Sequence, residues 1–260
     1  MKKHILDLII SDNIRLGPGI ALLKLSSQSP LPEMLPGQFA QLRIDSASPQ
    51  VFLRRPISIH YFNKDTNELW LLVHAVGAGT RALADLPSGS IVNMIAPLGN
   101  HFTMPLVPGA TRLLLVGGGI GLAPLLFLGA TLRDKGFEPT FLLGARQKEH
   151  LVQLGEFEKY GKVGITTEDG SLGEKGVVLQ HSLLNDKAFD AVYACGPKGM
   201  MMAVAKYAAD RYIPCEVSLE NVMACGIGAC LCCVEDTIVG YKCICMEGPT
   251  FNIAKLKWLH

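Results

Sequence analysis

Six of the chain's eight cysteines fall between residues 225 and 245. Three of them read Cys225-x4-Cys230-x2-Cys233, and a fourth thiol follows at Cys243 or Cys245. A C-x4-C-x2-C run with a distant fourth cysteine is the spacing of plant-type [2Fe–2S] sites, where four thiolates complete the coordination of two irons. Gly226 and Gly228 let such a loop wrap tightly, so that backbone N–H groups can face the sulfurs. Structural zinc is the competing reading, but it favours two close cysteine pairs. Cys233 is taken over its neighbour Cys232 on spacing, whereas spacing alone does not choose between Cys243 and Cys245. Disulfides would need an exported chain. Lys2 and Lys3 precede only a short apolar stretch, interrupted by Asp7 and Asp12 and without a small-residue cleavage site, so a cytoplasmic chain is expected.

Two glycine-bearing motifs could hold a nucleotide. Gly117-Gly118-Gly119-Ile120-Gly121 follows an apolar strand and opens a helix. Glycines there allow a backbone to approach a pyrophosphate whose charge the helix N-terminus stabilises. The spacing departs from G-x-G-x-x-G, and a ligand-free tight turn is the alternative. Cys195-Gly196-Pro197 follows a later strand at the same carboxyl edge, where open α/β sheets bind ligands. By itself Cys195 reads as a small buried hydrophobe.

Arg54-Arg55-Pro56-Ile57-Ser58 begins a strand. An arginine there can grip a phosphate bidentately, and a serine hydroxyl can reach a ring nitrogen. An edge arginine beside a strand-initiating proline is the plainer reading. Gly77-Ala78-Gly79-Thr80 offers backbone N–H groups to an anion, or is an ordinary capped turn. The seven histidines are scattered, and no H-E-x-x-H, G-x-S-x-G or Walker lysine occurs. No catalytic constellation for hydrolysis or nucleophilic attack emerges.

These residues need elements to position them. Residues 20–25, 38–44, 57–62, 69–76 and 91–96 are rich in Val, Ile, Leu and aromatics and are separated by turn residues, which predicts an antiparallel barrel or sandwich. Two prolines and a glycine within 105–109 mark a boundary. Beyond it, strands at 113–116, 140–143, 163–166 and 191–194 alternate with helical patterns to 135, over 148–160 and over 200–211, which predicts a doubly wound parallel sheet. The expected division is a β-barrel at 1–104, an α/β domain at 105–216 and a small cysteine domain at 217–260. Residues 113–132 carry no charge and are long enough to span a bilayer. Their glycine cluster and Pro124 fit a strand–turn–helix better. With 260 residues, 49% hydrophobic, and a net charge of +1, the chain is neither disordered nor a nucleic-acid binder by charge.

The order of barrel, nucleotide sheet and iron–sulfur loop resembles the ferredoxin reductase superfamily. Arg55–Ser58 is similar to its R-x-Y-[ST] flavin motif, with Ile57 in place of tyrosine. GGGIGLAP at 117–124 is similar to its nicotinamide motif, and Cys195-Gly196-Pro197 to its C-G-P signature. With LRRPISI at 53–59, TEDGSLGEKG at 167–176, EVSLENVMACGIGACLCC at 216–233 and CMEGP at 245–249, the chain resembles the family of electron-transfer subunits of NAD-dependent dihydroorotate dehydrogenase, type B.

The resemblance implies FAD on Arg55, Pro56, Ile57, Ser58, Leu72, Val73, His74, Gly79 and Thr80. It implies a nicotinamide cofactor on 117–121 (Gly117, Gly118, Gly119, Ile120, Gly121) and on Cys195, Gly196 and Pro197. The cluster ligands it implies are Cys225, Cys230, Cys233 and Cys245, the last because the family's fourth ligand precedes a Gly-Pro pair by two residues. NAD is chosen on resemblance; the residue at the end of the second α/β strand is no acid, and Arg146 stands nearby. The implied partner is an FMN-containing subunit that oxidises dihydroorotate in pyrimidine biosynthesis, in a heterotetramer of two catalytic and two electron-transfer subunits. The rivals are a ferredoxin- or hydrogenase-type NAD(P)H reductase subunit and a non-enzymatic iron–sulfur sensor.

Overall fold

The computed structural model describes residues 2–44, 51–186 and 188–259; His260 lies outside them. Strands β1 (His4–Gly17), β2 (Ile20–Ser26), β3 (Phe39–Leu42), β4 (Arg55–Asn63), β5 (Glu68–His74) and β6 (Ile91–Leu98) form a closed antiparallel barrel in the order β1-β2-β5-β4-β3-β6. Helix α1 (Ala78–Ala84) lies between β5 and β6. Side chains alternate across each strand. Leu69, Leu71 and Val73 therefore fill the barrel interior with Ile57 and Ile59, while Leu72 faces outward into a core shared with the next region. The long first strand was not expected from sequence. Asp7 and Asp12 interrupt its apolar pattern, yet both take exposed positions, and a bulge between Ile10 and Asp12 resets the register.

The second region is a sheet with helices between its strands. Strands β7 (Leu113–Gly118), β8 (Thr140–Ala145), β9 (Lys162–Thr167), β10 (Glu174–Lys175), β11 (Ala191–Cys195) and β12 (Cys215–Ser218) run parallel in the order β10-β9-β8-β7-β11-β12. Helices α2 (Ala123–Asp134), α3 (Leu154–Glu158), α4 (Leu183–Asp186) and α5 (Lys198–Ala209) connect them. The uncharged run 113–132 divides into β7, a 3-10 turn at Gly119–Leu122 and α2, with Pro124 in the first helical turn where its missing N–H costs nothing. No helix among the described residues is long and apolar enough to cross a membrane.

The helix expected over 148–160 is instead two pieces, a 3-10 turn at Lys148–His150 and α3. Gln153 breaks it with a left-handed backbone, φ +58°, and turns its side-chain amide to within 2.5 Å of the His60 Nε2 on the barrel. A tertiary contact has outweighed helical propensity.

The last region folds as a hairpin of β13 (Val234–Thr237) and β14 (Gly240–Cys243), a turn of helix α6 (Ile244–Glu247), and β15 (Thr250–Asn252). Strand β15 pairs antiparallel with β12 and becomes the seventh strand of the sheet. Cys233, Cys245 and Phe251 are buried in one apolar cluster with Val116, Val192 and Val217 of the sheet and with Phe39 and Leu98 of the barrel. Full burial of each such aliphatic or aromatic side chain contributes about 1.5–3 kcal/mol, so the cysteine region is held against both larger units by packing.

Candidate functional site

Arg55 opens β4, with Nη1 donating to the Leu53 carbonyl at 2.6 Å. Its guanidinium rests on Gly79: a Cβ there would stand 2.7 Å from Nε and 2.9 Å from Cζ. The arginine motif and the glycine turn, read separately in the sequence, are thus one structural unit. Gly79 and Thr80 lie within the first turn of α1, and the Thr80 hydroxyl accepts the Gly77 N–H at 3.0 Å, closing that turn. Arg54 serves the barrel, donating to the carbonyls of Gln41 and Asn93 and to the Asn93 side chain.

Ile57, only 8% exposed, points into the barrel, while Pro56 and Ser58 are half-buried on the opposite face. Pro56 pairs with Gln41 and Ser58 with Phe39 across the ladder. On β5, Leu72 and Val73 are buried on opposite faces, and His74 closes the strand half-buried, opposite Ile20. Burial and the neighbouring His150 hold the His74 ring below its ordinary pKa.

The two nucleotide motifs meet at the carboxyl edge of the sheet. Strands β7 and β11 are adjacent and parallel, with Cys195 opposite Gly117. A Cβ on Gly121 would stand 2.4 Å from the Gly196 Cα and 2.5 Å from the Cys195 carbonyl oxygen. One on Gly118 would strike the Met200 sulfur, and Pro197 caps the N-terminus of α5. These glycines are required by loop-on-loop packing. Gly119 differs: its φ is +53°, and its missing Cβ would meet nothing within 4 Å, so this backbone faces open space. Ile120 beside it is half-buried. Arg146 is exposed just beyond β8. Cys195 is 1% exposed, and its Sγ lies 3.9 Å from the Glu220 Oε1. Burial, with the carboxyl group beside it, pushes that thiol well above its ordinary range, so it is a neutral group.

The cysteine loop carries its own turn geometry. Gly226 and Gly228 have φ of +68° and +88°. Substitution would drive a Cβ to 2.4 Å from the Gln41 Nε2 at the first and 2.6 Å from the Met246 Cγ at the second. The Ile227 N–H points at the Cys225 Sγ (3.5 Å) and the Cys245 N–H at the Cys233 Sγ (3.4 Å). Against the upward push of burial, the Ile227 N–H and the Cys230 thiol draw Cys225 down to about 6. Burial and the Cys233 thiol push Cys245 up to about 12.

Cys230 thus lies beside Cys225 and Cys233 beside Cys245, and Cys225 and Cys233 also bear on Cys243. No three or more His, Cys, Asp or Glu side chains among the described residues converge on one ion position. Cys233 and Cys245 are buried, Cys225 is half-buried and Cys230 exposed. Cys243 is half-buried at the end of β14, near Cys233, and Cys232 is exposed with its Sγ 3.7 Å from the Val222 carbonyl.

The three parts adjoin. Gly226 packs on Gln41 of β3, the strand paired to Arg55–Ser58. Asn100, just past β6, donates from Nδ2 to the carbonyls of Glu247 and Thr250, and its Oδ1 accepts from the N–H and hydroxyl of Thr250. His60 bridges β4 to the Ala123 carbonyl at the start of α2 (Nδ1, 2.7 Å) and to Gln153. Gln41, Asn100, His60 and Glu220 were not singled out from the sequence. Each is a lone polar residue whose meaning depends on a distant neighbour, and no spacing rule marks it.

Residues 220–257 match the family model for the iron–sulfur cluster binding domain of dihydroorotate dehydrogenase B. The chain is 36% identical over 224 residues to the dihydroorotate dehydrogenase B (NAD(+)) electron transfer subunit of Bacillus caldolyticus, covering 85% of this chain and 86% of that one. It is 40% identical over 231 residues to the subunit of the same name from Desulforamulus reducens, with 86% and 87% covered. The Fusobacterium nucleatum subunit is 34% identical over 252 residues, with 94% and 95% covered. Among solved structures, an NADH-dependent reduced ferredoxin-NADP oxidoreductase studied for flavin-based electron bifurcation superposes with a TM-score of 0.85 at 29% identity, covering 96% of this chain and 90% of that one. Phthalate dioxygenase reductase shares the fold, with a TM-score of 0.64 at 19% identity over 90% of this chain and 87% of that one. By identity across almost its whole length and by the matched cysteine domain, the chain belongs to the family of dihydroorotate dehydrogenase B (NAD(+)) electron transfer subunits.

Proposed function

We propose that this chain is the electron-transfer subunit of an NAD-linked dihydroorotate dehydrogenase. It passes electrons from the FMN of a catalytic partner, through a [2Fe–2S] cluster and FAD, to NAD+ in pyrimidine biosynthesis. The observation that carries this reading is the meeting of the cysteine loop and the arginine–glycine unit around β3 and β4. The cysteine loop packs on Gln41, Arg55 lies on Gly79 beside it, and Phe39, opposite Ser58, shares a core with Cys233 and Cys245. When bound, the flavin exchanges electron pairs with nicotinamide and single electrons with the cluster, which is why it must stand between them.

The roles follow from chemistry. Arg55 pairs with flavin phosphates, with Gly79 and Thr80 beside it. Pro56, Ile57, Ser58, Leu72, Val73 and His74 form the walls of the flavin site, and the Ser58 hydroxyl is the hydrogen-bonding group for the ring. The backbone at Gly117–Gly121 and Cys195–Pro197 receives the nicotinamide cofactor, with Gly119 as the open approach. Cys225, Cys230, Cys233 and Cys245 hold the cluster. Dihydroorotate itself is oxidised on the partner, and the expected assembly is a cytoplasmic heterotetramer of two subunits of each kind.

Anaerobic purification with co-purifying partners, followed by visible spectroscopy, tests this reading. NADH should bleach flavin and cluster in the isolated chain, whereas dihydroorotate should do so only with the FMN-containing partner present. If NADH bleaches the chain and dihydroorotate never does, the second reading holds: a reductase subunit with another partner. The 29% identity to the ferredoxin-NADP oxidoreductase supports that alternative.

A further inference from the structure

We infer that Gln41 donates a hydrogen bond to the sulfur atoms of the iron–sulfur group and so sets how readily that group accepts an electron. The inference rests on the ligand assignment above and adds a residue from the barrel, outside the cysteine region. Gln41 lies on β3, opposite Pro56. Its side chain is 0% exposed, and neither Nε2 nor Oε1 has a hydrogen-bond partner among the described residues. Gln38, three residues earlier, shows the ordinary arrangement: its Oε1 accepts from the Leu35 N–H and its Nε2 donates to the Gly99 carbonyl. An unsatisfied buried polar group costs about 1–3 kcal/mol, and buried amides are nearly always paired. The Gln41 amide is thus an unmet donor and acceptor, with no partner among the described residues.

The side chain is aimed at the cysteine loop. A Cβ on Gly226 would stand 2.4 Å from Nε2, 2.5 Å from Cγ and 2.8 Å from Cδ of Gln41. Gly226 directly follows Cys225 and has φ +68°, so the loop can lie on the amide only because this residue lacks a side chain. Donors of this kind tune iron–sulfur potentials, because a hydrogen bond to sulfur stabilises the extra negative charge of the reduced form. Gln41 also sits on the strand beside Arg55–Ser58, which makes it a positioning residue between flavin strand and cluster loop.

The test uses the reconstituted full-length chain. Gln41→Leu keeps most of the volume and removes the donor. Iron and sulfide content should stay at the wild-type level, while the cluster midpoint potential shifts to a more negative value and the EPR spectrum of the reduced cluster changes. A measurement on the wild type needs no variant to fold: protein labelled with 15N in glutamine side chains should show a nitrogen coupling to the reduced cluster in pulsed EPR. Full cluster content with an unchanged potential and no such coupling would overturn the role of Gln41 alone, leaving the amide to an enclosed water. A wild-type chain that takes up no iron would overturn the ligand assignment, and this inference with it.

Discussion

The guanidinium of Arg55 lies so close to Gly79 that a methyl group added there would stand 2.7 Å from its Nε. Gly79 is helical, so alanine would suit its backbone; the conflict is with two side chains, the Arg55 guanidinium and Ile44, whose Cδ1 would stand 2.8 Å away. Gly79→Ala should therefore displace Arg55 without unfolding α1 and lower the FAD retained through desalting. Arg55→Ala should weaken FAD binding further, by about 10- to 100-fold, from the roughly 1.5–3 kcal/mol of a charged hydrogen bond. Flavin absorbance per chain measures both, and undiminished retention in Arg55→Ala would remove the arginine from the phosphate site.

The fourth cysteine can be decided the same way. Cys245 is 1% exposed, with its N–H on the Cys233 sulfur, whereas Cys243 is half-buried at a hairpin end. Cys245→Ser should abolish or grossly perturb the visible iron–sulfur spectrum, and Cys243→Ser should leave it intact. Swapped outcomes, read by anaerobic absorbance and iron content, would move the fourth ligand to Cys243.

The parts of the candidate site that the sequence marks are those fixed by local spacing. Cys225, Cys230 and Cys233 announce themselves because a loop must place three thiols within a few residues, and the glycines at 117–121 because a strand must turn into a helix at once. The fold class was legible for a similar reason, since strands alternating with helices leave a period change near residue 110. Strand β1 was hidden because its outward positions carry Asp7 and Asp12, and alternation over a bulge does not read as alternation. Strand β15, Asn100 and Gln41 were hidden because their partners lie across the fold: β15 completes the sheet at β12, and Asn100 clasps Thr250. Long-range pairing leaves no periodic trace in either segment.

Gly121 provides a test of the nicotinamide edge. Its absent Cβ would stand 2.4–2.5 Å from Gly196 and Cys195, all backbone atoms with little room to yield. Gly121→Ala should push the two loops apart and raise the KM for NADH about 10-fold, the equivalent of roughly 1.4 kcal/mol, while FAD content is unchanged. NADH-dependent reduction of an artificial acceptor measures this in the isolated chain. An unaltered KM would separate these loops from the cofactor.

His60 gives the structure a pH dependence of definite sign. Its ring is 0% exposed, between the Ala123 carbonyl and the Gln153 amide, where it ties the barrel to the sheet region. Burial lowers its pKa below the ordinary 6.5, although both hydrogen-bond partners oppose that shift. The folded chain therefore prefers the neutral ring. As pH falls below about 6.5, the unfolded chain takes up a proton that the folded chain does not, and stability falls by up to about 1.4 kcal/mol per pH unit until the folded-state value is reached. Above 6.5 both states are neutral, and this contribution is fully present. Urea unfolding of the wild type should show its midpoint decline between pH 7.5 and 5.5. His60→Gln, which keeps a polar group but cannot titrate, should decline less steeply over the same interval. Equal slopes would assign the acid sensitivity to other groups, of which His74, also held below its ordinary value, is the next to substitute.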